Sequence, residues 1–539
     1  MKWSNGFKML GGSSMGQYIN PGTEKFEMSL NSQIYVDKSN LIIQTNERIR
    51  TENRFICVSR PRRFGKTMAL NMLASYYGMN GGSAKLFDTL NISKHESYEE
   101  HLNQYYVVKI IMQEFLSETS TVAEMLAKLT KKIGEEIMEM APHIRYKEPS
   151  NLMQVFTDLH LDTKIPLVIL IDEWDCLFRE YKDDLDSQKM YSDFLRNLLK
   201  DRPFVGLAYM TGILPIKKYG SHSALNMFEE YSMVEPSQFI NYFGFTEEEV
   251  EGLVSTFSSN MNEMEHWYNG YFKDLGTPIY NPKSVTSSLL RKRFSSYWNN
   301  TETYEALKVY IERNYDGLRE KVTHLLTGAS IKINPNHFSN DMTTFESADD
   351  VLTLLVHLGY LTFNIEEKTV RIPNEEVKEE FVTSIESLKW ENVLNALDQS
   401  DKLLQAIWHK ESDVVAKGIE KVHEENTSIL AYNDENSLSC VISLALYGAK
   451  EYYMIIRELP SGKGYADLVF IPRKKYQDKP AMIVELKWDK SVVGAIAQIK
   501  ERNYIAALEE YKGNVLLVGI NYDKDNKNHQ CIIETHHYA

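Results

Sequence analysis

Three apolar runs in the first half of the chain predict buried β-strands. They are Phe55–Val58, Pro166–Ile171 and Phe204–Met210. Continuous apolar runs of this length are typical of strands that are covered on both faces of a parallel sheet. Helical segments separate the runs, and such alternation favours a sheet with helices packed on both sides. The pattern therefore predicts an α/β domain between residues 55 and 219.

Beyond residue 240 the hydrophobic pattern becomes mostly helical. Thr246 precedes three glutamates, which predicts a capped helix start with acidic residues in its first turn. Asn281 and Pro282 predict a second helix start. A helix and then a short hairpin over Tyr360–Ile372 are predicted next. A long, highly charged helical stretch then leads to a final domain that begins near Glu391.

The last part of the chain contains a second set of strand-like runs. Gly464–Ile471 and Lys479–Trp488 are largely apolar and are separated by a basic turn. A helical run beginning at Glu435 precedes them, and a helix containing Gln498 follows them. This order of elements predicts a second domain that also combines helices and strands.

Composition restricts the class of protein. The length of 539 residues predicts several domains, and 43% hydrophobic with 11% aromatic residues is typical of well-packed globular domains. The formal net charge of −15 excludes a general affinity for nucleic acid, so a nucleic-acid enzyme would need local basic patches or a partner. The four cysteines are scattered and predict no disulfide framework. Because the sequence has neither a signal-peptide pattern nor an apolar run of about 20 residues, we expect a cytoplasmic protein without membrane contact.

A phosphate-binding loop is predicted after the first strand. The segment Ser59–Thr67 matches G-x-x-x-x-G-K-[ST] at Gly65, Lys66 and Thr67, while Arg60 replaces the first glycine. A strand that turns tightly into a helix directs backbone N–H groups at an anion. Lys66 would then reach the β- and γ-phosphates of ATP, and Thr67 would hold Mg²⁺. The alternative is a basic surface turn before a helix.

Two acidic residues follow the second strand-like run. Asp172 and Glu173 stand where a Walker B site requires carboxylates. Asp172 would bind Mg²⁺ through water, and Glu173 would orient or deprotonate the attacking water. Because ligands of doubly wound sheets bind at strand ends, the pair favours a nucleotide site over acids that merely begin a loop. Thr211, at the end of the third run, would either sense the γ-phosphate or form part of a turn.

The arginines of the loop have two interpretations. Arg60, Arg62 and Arg63 could contact phosphate, or they could pair with acidic side chains such as Asp175. We expect one of the three to contact phosphate and take Arg62 and Arg63 as candidate cofactor-binding residues.

A second group of charged residues predicts a metal site near the C-terminus. Glu485 and Lys487 are two positions apart on a predicted strand and therefore lie on the same face. Asp467 on the preceding strand and Glu435 on the upstream helix could add carboxylates for Mg²⁺. Lys487 could orient or activate a water for phosphodiester attack. The usual alternative for E-x-K on a strand is a solvated ion pair.

These motifs resemble those of bacterial proteins that join an AAA-ATPase-like domain to a C-terminal domain of the PD-(D/E)XK nuclease superfamily. The resemblance spans nearly the whole chain and rests on Tyr35–Lys38, Ser59–Thr67, Ile171–Asp175, Thr211–Gly212, Trp267–Tyr271, Tyr280–Pro282, Gly359–Thr362, Asp467 and Glu485–Lys487. It implies ATP and Mg²⁺ as cofactors. It also implies that an arginine at position 60 is usual. The Q-x-x-x-Y element of some nuclease branches is not matched, because Arg502 and not a tyrosine stands four residues after Gln498.

The resemblance implies three regions and a fold class. An AAA-ATPase-like P-loop domain would span 1–240, a helical lid or linker of possible winged-helix form 241–390, and a PD-(D/E)XK nuclease-like domain 391–539. The predicted fold class is α/β. It comprises a P-loop NTPase parallel sheet with helices on both faces, a mostly helical middle region and a C-terminal α/β domain like that of restriction endonucleases.

The leading functional hypothesis is an ATPase coupled to a metal-dependent nuclease that acts on DNA or RNA. Glu173, Asp467, Glu485 and Lys487 are its candidate catalytic residues. A second hypothesis is a non-cleaving ATP-dependent switch whose C-terminal domain binds nucleic acid or a protein partner, which the slightly acidic balance of that domain favours. A third is a phosphotransferase acting on a small molecule. It is the weaker choice, because the water-positioning role of Glu173 fits hydrolysis better.

Overall fold

The computed structural model describes residues 16–79, 82–216, 225–298, 314–338, 345, 347–387, 391–426, 435–461, 464–473, 476–502 and 514–536. The chain divides into two compact units. The first comprises Met1–Leu307 and Lys332–Val377, and the second comprises Lys308–Ile331 and Lys378–Ala539. The bounds of the three domains that the resemblance implies remain a prediction.

The strands form one main sheet in each unit. In chain order they are β1 (Phe55–Ser59), β2 (Tyr106–Ile111), β3 (Leu167–Asp172), β4 (Val205–Gly212), β5 (Glu229–Tyr231), β6 (Phe245–Thr246), β7 (Ile279–Tyr280), β8 (Ile331–Lys332), β9 (Thr362–Asn364), β10 (Thr369–Arg371), β11 (Tyr453–Ser461), β12 (Gly464–Pro472), β13 (Ala481–Trp488), β14 (Val515–Asp523) and β15 (Asn528–His536).

The α-helices fill the intervals between the strands. In chain order they are α1 (Glu24–Leu30), α2 (Leu41–Asn46), α3 (Lys66–Tyr77), α4 (Ala84–Phe87), α5 (Tyr98–His101), α6 (Met112–Ser117), α7 (Val122–Met140), α8 (Leu152–Thr163), α9 (Cys176–Glu180), α10 (Leu185–Leu199), α11 (Glu247–Thr256), α12 (Met261–Tyr268), α13 (Pro282–Arg291), α14 (Leu318–Leu326), α15 (Ala348–Leu358), α16 (Glu375–Ser387), α17 (Glu391–Trp408), α18 (Ser412–Asn426), α19 (Glu435–Ala445), α20 (Ala449–Tyr452) and α21 (Val492–Glu501).

The first unit is built on the parallel sheet that the apolar runs predict. Its strand order is β2-β3-β4-β1-β5, and every neighbouring pair is parallel. Every residue of β1, β3 and β4 is buried, as continuous apolar strands require. The carboxyl ends of β1, β3 and β4 meet at one edge, which brings the loop after β1 close to the acidic residues after β3.

Local capping chemistry sets the helix starts in the rest of this unit. The Thr246 hydroxyl accepts a hydrogen bond from the Glu249 backbone N–H, and the Glu249 carboxylate accepts one from the Thr246 backbone N–H. This reciprocal capping box begins α11. Asn281 caps α13, whose first residue is Pro282. Both predicted helix starts are therefore confirmed, as is the hairpin, which consists of antiparallel β9 and β10.

The second unit contains a mixed sheet in the order β11-β12-β13-β14-β15. The β13–β14 pair is parallel, and the other neighbours are antiparallel. Apolar residues of β12, β13, β14 and α21 form one buried core. Strand β11 was missed in the sequence, because its run includes Arg457, Glu458 and Pro460 and has no long apolar stretch.

Among the described residues, no helix combines the length and apolar character that a membrane-spanning segment needs.

Candidate nucleotide site and candidate metal centre

The loop between β1 and α3 has the geometry of an anion-binding turn. Gly65 directly precedes α3 and has a φ of 94°, a left-handed conformation that glycine adopts without strain. Backbone N–H groups of the first helical turn have no partner within their own helix. The loop therefore presents donors and the positive end of a helix at the carboxyl edge of the sheet.

Lys66 lies folded into the loop. Its Nζ atom donates hydrogen bonds to the Arg60 and Pro61 carbonyl oxygens, each at 2.7 Å. Burial lowers the pKa of Lys66 to about 8, and the nearby Asp172 carboxylate opposes this shift. The ammonium group is thus held by backbone carbonyls at the place where an anionic ligand would attract it more strongly.

Asp172 joins three elements of the sheet edge. Its Oδ2 atom accepts a hydrogen bond from the Thr67 hydroxyl at 2.7 Å, and its Oδ1 atom accepts one from the Thr211 hydroxyl. Thr67 belongs to α3, Asp172 ends β3 and Thr211 lies near the end of β4. The structure therefore brings together the loop, the first acidic residue and the candidate sensor. A carboxylate beside a hydroxyl is a donor set that suits Mg²⁺.

Glu173 stands beside this cluster and is more exposed. Its side chain is 43% exposed, and its backbone has a φ of 53°, which is uncommon for a residue other than glycine. Partial burial raises the pKa of Glu173, and the charge of Arg179 opposes that shift. The carboxylate thus lies next to Asp172 and remains accessible from solvent.

Asp175 is a buried anchor and not a partner of the loop arginines. Its Oδ2 atom accepts hydrogen bonds from the backbone N–H groups of Ile213 and Leu214 at 3.0 and 2.8 Å. The same oxygen lies 3.3 Å from Arg179 Nε. Sequence reasoning missed Arg179. The available signal was a basic residue one helical turn after Asp175.

Arg60 is fully buried among backbone carbonyls and aromatic rings. Its Nη1 atom donates to the carbonyl oxygens of Ser59 and Tyr231 at 2.9 and 2.8 Å. The guanidinium carbon lies 5.6 Å from the ring centroids of both Phe243 and Phe272. Burial lowers the pKa of Arg60 to about 9. This side chain fastens the beginning of the loop to β5, a role that glycine could not perform.

The other two loop arginines differ in exposure. Arg63 is exposed, and its Nη1 atom donates to the Tyr297 carbonyl oxygen at 2.9 Å. Arg62 is half-buried. Whether either residue contacts phosphate remains a prediction.

Aromatic and glycine segments of the middle region pack against the loop. The Gly244 backbone N–H donates to the Phe64 carbonyl oxygen at 3.1 Å, and the Phe64 ring meets Tyr271 edge-on at 5.2 Å. The Tyr271 hydroxyl donates to the Gly359 carbonyl oxygen at 2.7 Å. A Cβ atom at Gly359 would lie 2.8 Å from the Pro61 side chain. These contacts give the Trp267–Tyr271 and Gly359–Thr362 segments a structural role in supporting the loop.

The second unit brings Asp467, Glu485 and Lys487 together. Leu468 pairs with Val484 across antiparallel β12 and β13, so the next register position sets Asp467 opposite Glu485. Asp467 Oδ2 accepts a hydrogen bond from the Leu486 backbone N–H at 2.7 Å. Lys487 Nζ lies 2.9 Å from Glu485 Oε1. Two carboxylates and an ammonium group thus share one face, and the carboxylates are suitable ligands for Mg²⁺.

Glu435 and Asn521 are two further polar residues of the second unit. Glu435 begins α19 as predicted, and its side chain lies outside the described residues. Asn521 on β14 is paired with Lys487 and is 1% exposed. Its Oδ1 atom accepts a hydrogen bond from the Lys490 backbone N–H at 3.1 Å. Sequence reasoning missed Asn521, although a polar residue inside the apolar run Val515–Tyr522 was a signal.

Comparison with protein families confirms the predicted architecture. Residues 21–221 match the model for a predicted AAA-ATPase, and residues 433–531 match the model for the PD-(D/E)XK nuclease superfamily. The chain therefore joins an AAA-ATPase-like domain to a C-terminal domain of the PD-(D/E)XK nuclease fold.

Individual relatives are distant. A protein of Azotobacter chroococcum mcd 1, described as "Uncharacterized protein in vnfD 5'region", is 25% identical over 280 residues, which is 50% of this chain. The chain spans 51% of that relative's length. The ORC2 protein of Aeropyrum pernix, solved as ADPNP–ADP complexes, covers 68% of this chain and 97% of its own at 10% identity and a TM-score of 0.30. Cdc6p of Pyrobaculum aerophilum covers 69% of this chain and 99% of its own at 9% identity and a TM-score of 0.23.

Proposed function

We propose that the first unit binds and hydrolyses ATP and that the second contains a metal-dependent nuclease acting on DNA or RNA. The observation that best supports this is the convergence of Thr67, Asp172 and Thr211 beside the glycine loop. A phosphate loop, a magnesium carboxylate and a polar group at the next strand end are the parts that nucleotide hydrolysis requires.

Each residue of the first site has a separate task in this proposal. Lys66 leaves the two carbonyls and pairs with the β- and γ-phosphates, with Arg62 or Arg63 adding a further contact. Bound Mg²⁺ would neutralise charge on the phosphates, and Thr67 and Asp172 would hold it. Glu173 orients the water and accepts its proton.

The second site would cleave phosphodiesters. Asp467 and Glu485, with Glu435 as a third carboxylate, would hold Mg²⁺, which supplies charge stabilisation at the phosphate. Lys487 orients the attacking water or stabilises the negative charge that develops on the phosphate. The ion pair with Glu485 directs the Lys487 ammonium group toward the carboxylates.

The two activities are tested together on the whole chain. Phosphate release from ATP and cleavage of duplex and single-stranded DNA and of RNA are measured with Mg²⁺ or Mn²⁺, with and without ATP. Lys66→Ala should abolish ATP hydrolysis, and Asp467→Ala should abolish cleavage. The exposed residues Lys131 and Asp478 provide matched controls as Lys131→Ala and Asp478→Ala. Cleavage that persists in the Asp467→Ala protein would reject the nuclease half.

A non-cleaving switch is the second candidate function. The direct contact of Lys487 with the buried Glu485 supports it, because an internal ion pair can serve packing as well as catalysis. In that case the wild-type protein would bind nucleic acid or a protein partner in an ATP-dependent manner. Its nucleic-acid substrates would remain intact with either metal.

A further inference from the structure

Arg179 connects the two acidic residues that flank Trp174 in the turn after β3. Its Nε atom lies 3.3 Å from Asp175 Oδ2, and its Nη2 atom lies 3.9 Å from Glu173 Oε2. The guanidinium group is planar and offers several N–H groups in a fixed arrangement, so one arginine can face two carboxylates at once. We propose that Arg179 is a positioning residue that holds Glu173 in place for water activation, an inference that rests on the proposed ATPase function.

The Asp175 carboxylate that Arg179 contacts is held in place by the backbone. Asp175 is fully buried and is bound by the backbone N–H groups of Ile213 and Leu214. These residues follow Gly212, the last residue of β4, so the anchor lies next to the strand end whose Thr211 contacts Asp172. Arg179 is itself only 10% exposed. The arginine therefore extends from a fixed point toward the more exposed Glu173.

Glu173 has few other restraints. Its side chain is 43% exposed, and long exposed side chains sample several rotamers unless a partner selects one. The other nearby cation, Lys66, donates to loop carbonyls. Among the residues that the structure describes, Arg179 is the ion-pair partner of Glu173. Loss of this contact would leave the ATP site assembled and would misplace one catalytic group.

The test is a double-mutant cycle on steady-state ATP hydrolysis by the full chain. Arg179→Lys keeps a positive charge beside the buried Asp175, yet a single ammonium group cannot span both carboxylates. We expect kcat to fall roughly tenfold while KM for ATP changes less than about twofold. In the Glu173→Gln protein, whose residual rate no longer depends on the Glu173 carboxylate, the added Arg179→Lys change should have no further effect.

Three controls separate positioning from folding. Arg196→Lys alters an arginine whose carboxylate partner, Asp193, is also on α10 and partly exposed, and it should leave kcat unchanged. Thermal unfolding of Arg179→Lys should remain within a few degrees of the wild type, and binding of a fluorescent ATP analogue should persist.

Three results would overturn the proposal. They are an unchanged kcat in Arg179→Lys, a rise in KM that accounts for the whole loss, and losses that multiply in the double variant. A wild-type protein that hydrolyses no ATP would instead reject the proposed function together with this inference. Wild-type turnover with multiplicative losses would reject the role of Arg179 alone.

Discussion

The two candidate sites are built from similar residues in different ways. In the first unit Thr67, Asp172 and Thr211 come from three elements that lie far apart in the chain. In the second unit Asp467 and Glu485 lie on adjacent antiparallel strands. The first site therefore depends on the order of strands in a parallel sheet, whereas the second depends on the register of one hairpin.

The lysines of the two sites also differ in the groups that hold them. Lys66 is bound by two backbone carbonyls, so it is available to an incoming anion without breaking an ion pair. Lys487 contacts Glu485 directly, and Glu485 is 1% exposed. A buried ion pair is costly to separate. We therefore expect substitution of Lys66 to cost less folding stability than the loss of either Lys487 or Glu485.

The largest expected effect comes from Glu485→Gln. This change keeps the shape of the side chain and removes the charge that would hold Mg²⁺, so metal-dependent cleavage should fall on the order of 10³-fold. ATP hydrolysis should not change. Glu534→Gln, which alters an exposed pair with Lys500, is the matched control. Equal cleavage by the Glu485 variant and the wild type would show that Glu485 belongs to a structural ion pair and not to a metal site.

A large effect on stability is expected from Gly212→Ala. A Cβ atom there would lie 2.6 Å from Trp174 Nε1 and 2.8 Å from Asp175 Oδ1, inside van der Waals contact. Overpacking of this kind costs about 1–3 kcal/mol. Gly252 on α11 is the control, because a Cβ atom there meets open space and Gly252→Ala should stabilise the helix by up to about 1 kcal/mol. Chemical denaturation measures both; equal effects would contradict the crowding argument.

Thr211→Val should affect catalysis by about tenfold in kcat, with little change in KM. The buried Thr211 hydroxyl donates to Asp172, and valine keeps the volume while removing that donor. Thr353→Val is a suitable control, since Thr353 is equally buried but donates to the carbonyl oxygen of Asp349. A loss confined to KM would instead assign Thr211 to nucleotide binding and would contradict a role in the catalytic step.

The most gradual expected effect is a pH dependence of the second unit. Burial lowers the pKa of His423 from 6.5 to about 4 and that of His529 to about 3. The unfolded chain therefore takes up protons first as pH falls below 6.5. The contribution of these histidines to stability should be constant above that pH and should decline below it, by up to about 1.4 kcal/mol per pH unit for each histidine until its folded-state pKa is reached.

Urea unfolding at several pH values measures this decline. His423→Phe and His529→Phe should each flatten it, whereas His409→Gln, at an exposed position, should not. A decline of unchanged steepness in both phenylalanine variants would locate the acid sensitivity elsewhere.

Much of the fold follows from local rules in the sequence. Apolar runs predicted β1, β3 and β4, and capping residues predicted the starts of α11 and α13. The common face of Glu485 and Lys487 followed from the period of a strand. These features depend on neighbours in the chain, so a single sequence is enough to find them.

The parts that could not be predicted depend on tertiary contacts. Arg179 and Asn521 gain their positions from partners on other elements, and the support of the loop by Tyr271 and Gly359 joins distant segments. The burial of Arg60 is the clearest case. An arginine in a phosphate loop suggests contact with phosphate, whereas the structure places it among aromatic rings.

Arg60 also has a consequence for attempts to restore a standard loop in this chain. Arg60→Gly would restore the standard motif G-x-x-x-x-G-K-[ST] in the sequence. In the folded protein it would leave a void between Phe243, Phe272 and β5. It would also remove the hydrogen bonds from Arg60 to the Ser59 and Tyr231 carbonyl oxygens, the second of which ties the loop to β5. The substitution would therefore damage the loop that it appears to repair, and pattern searches that demand glycine at this position would overlook loops of this kind.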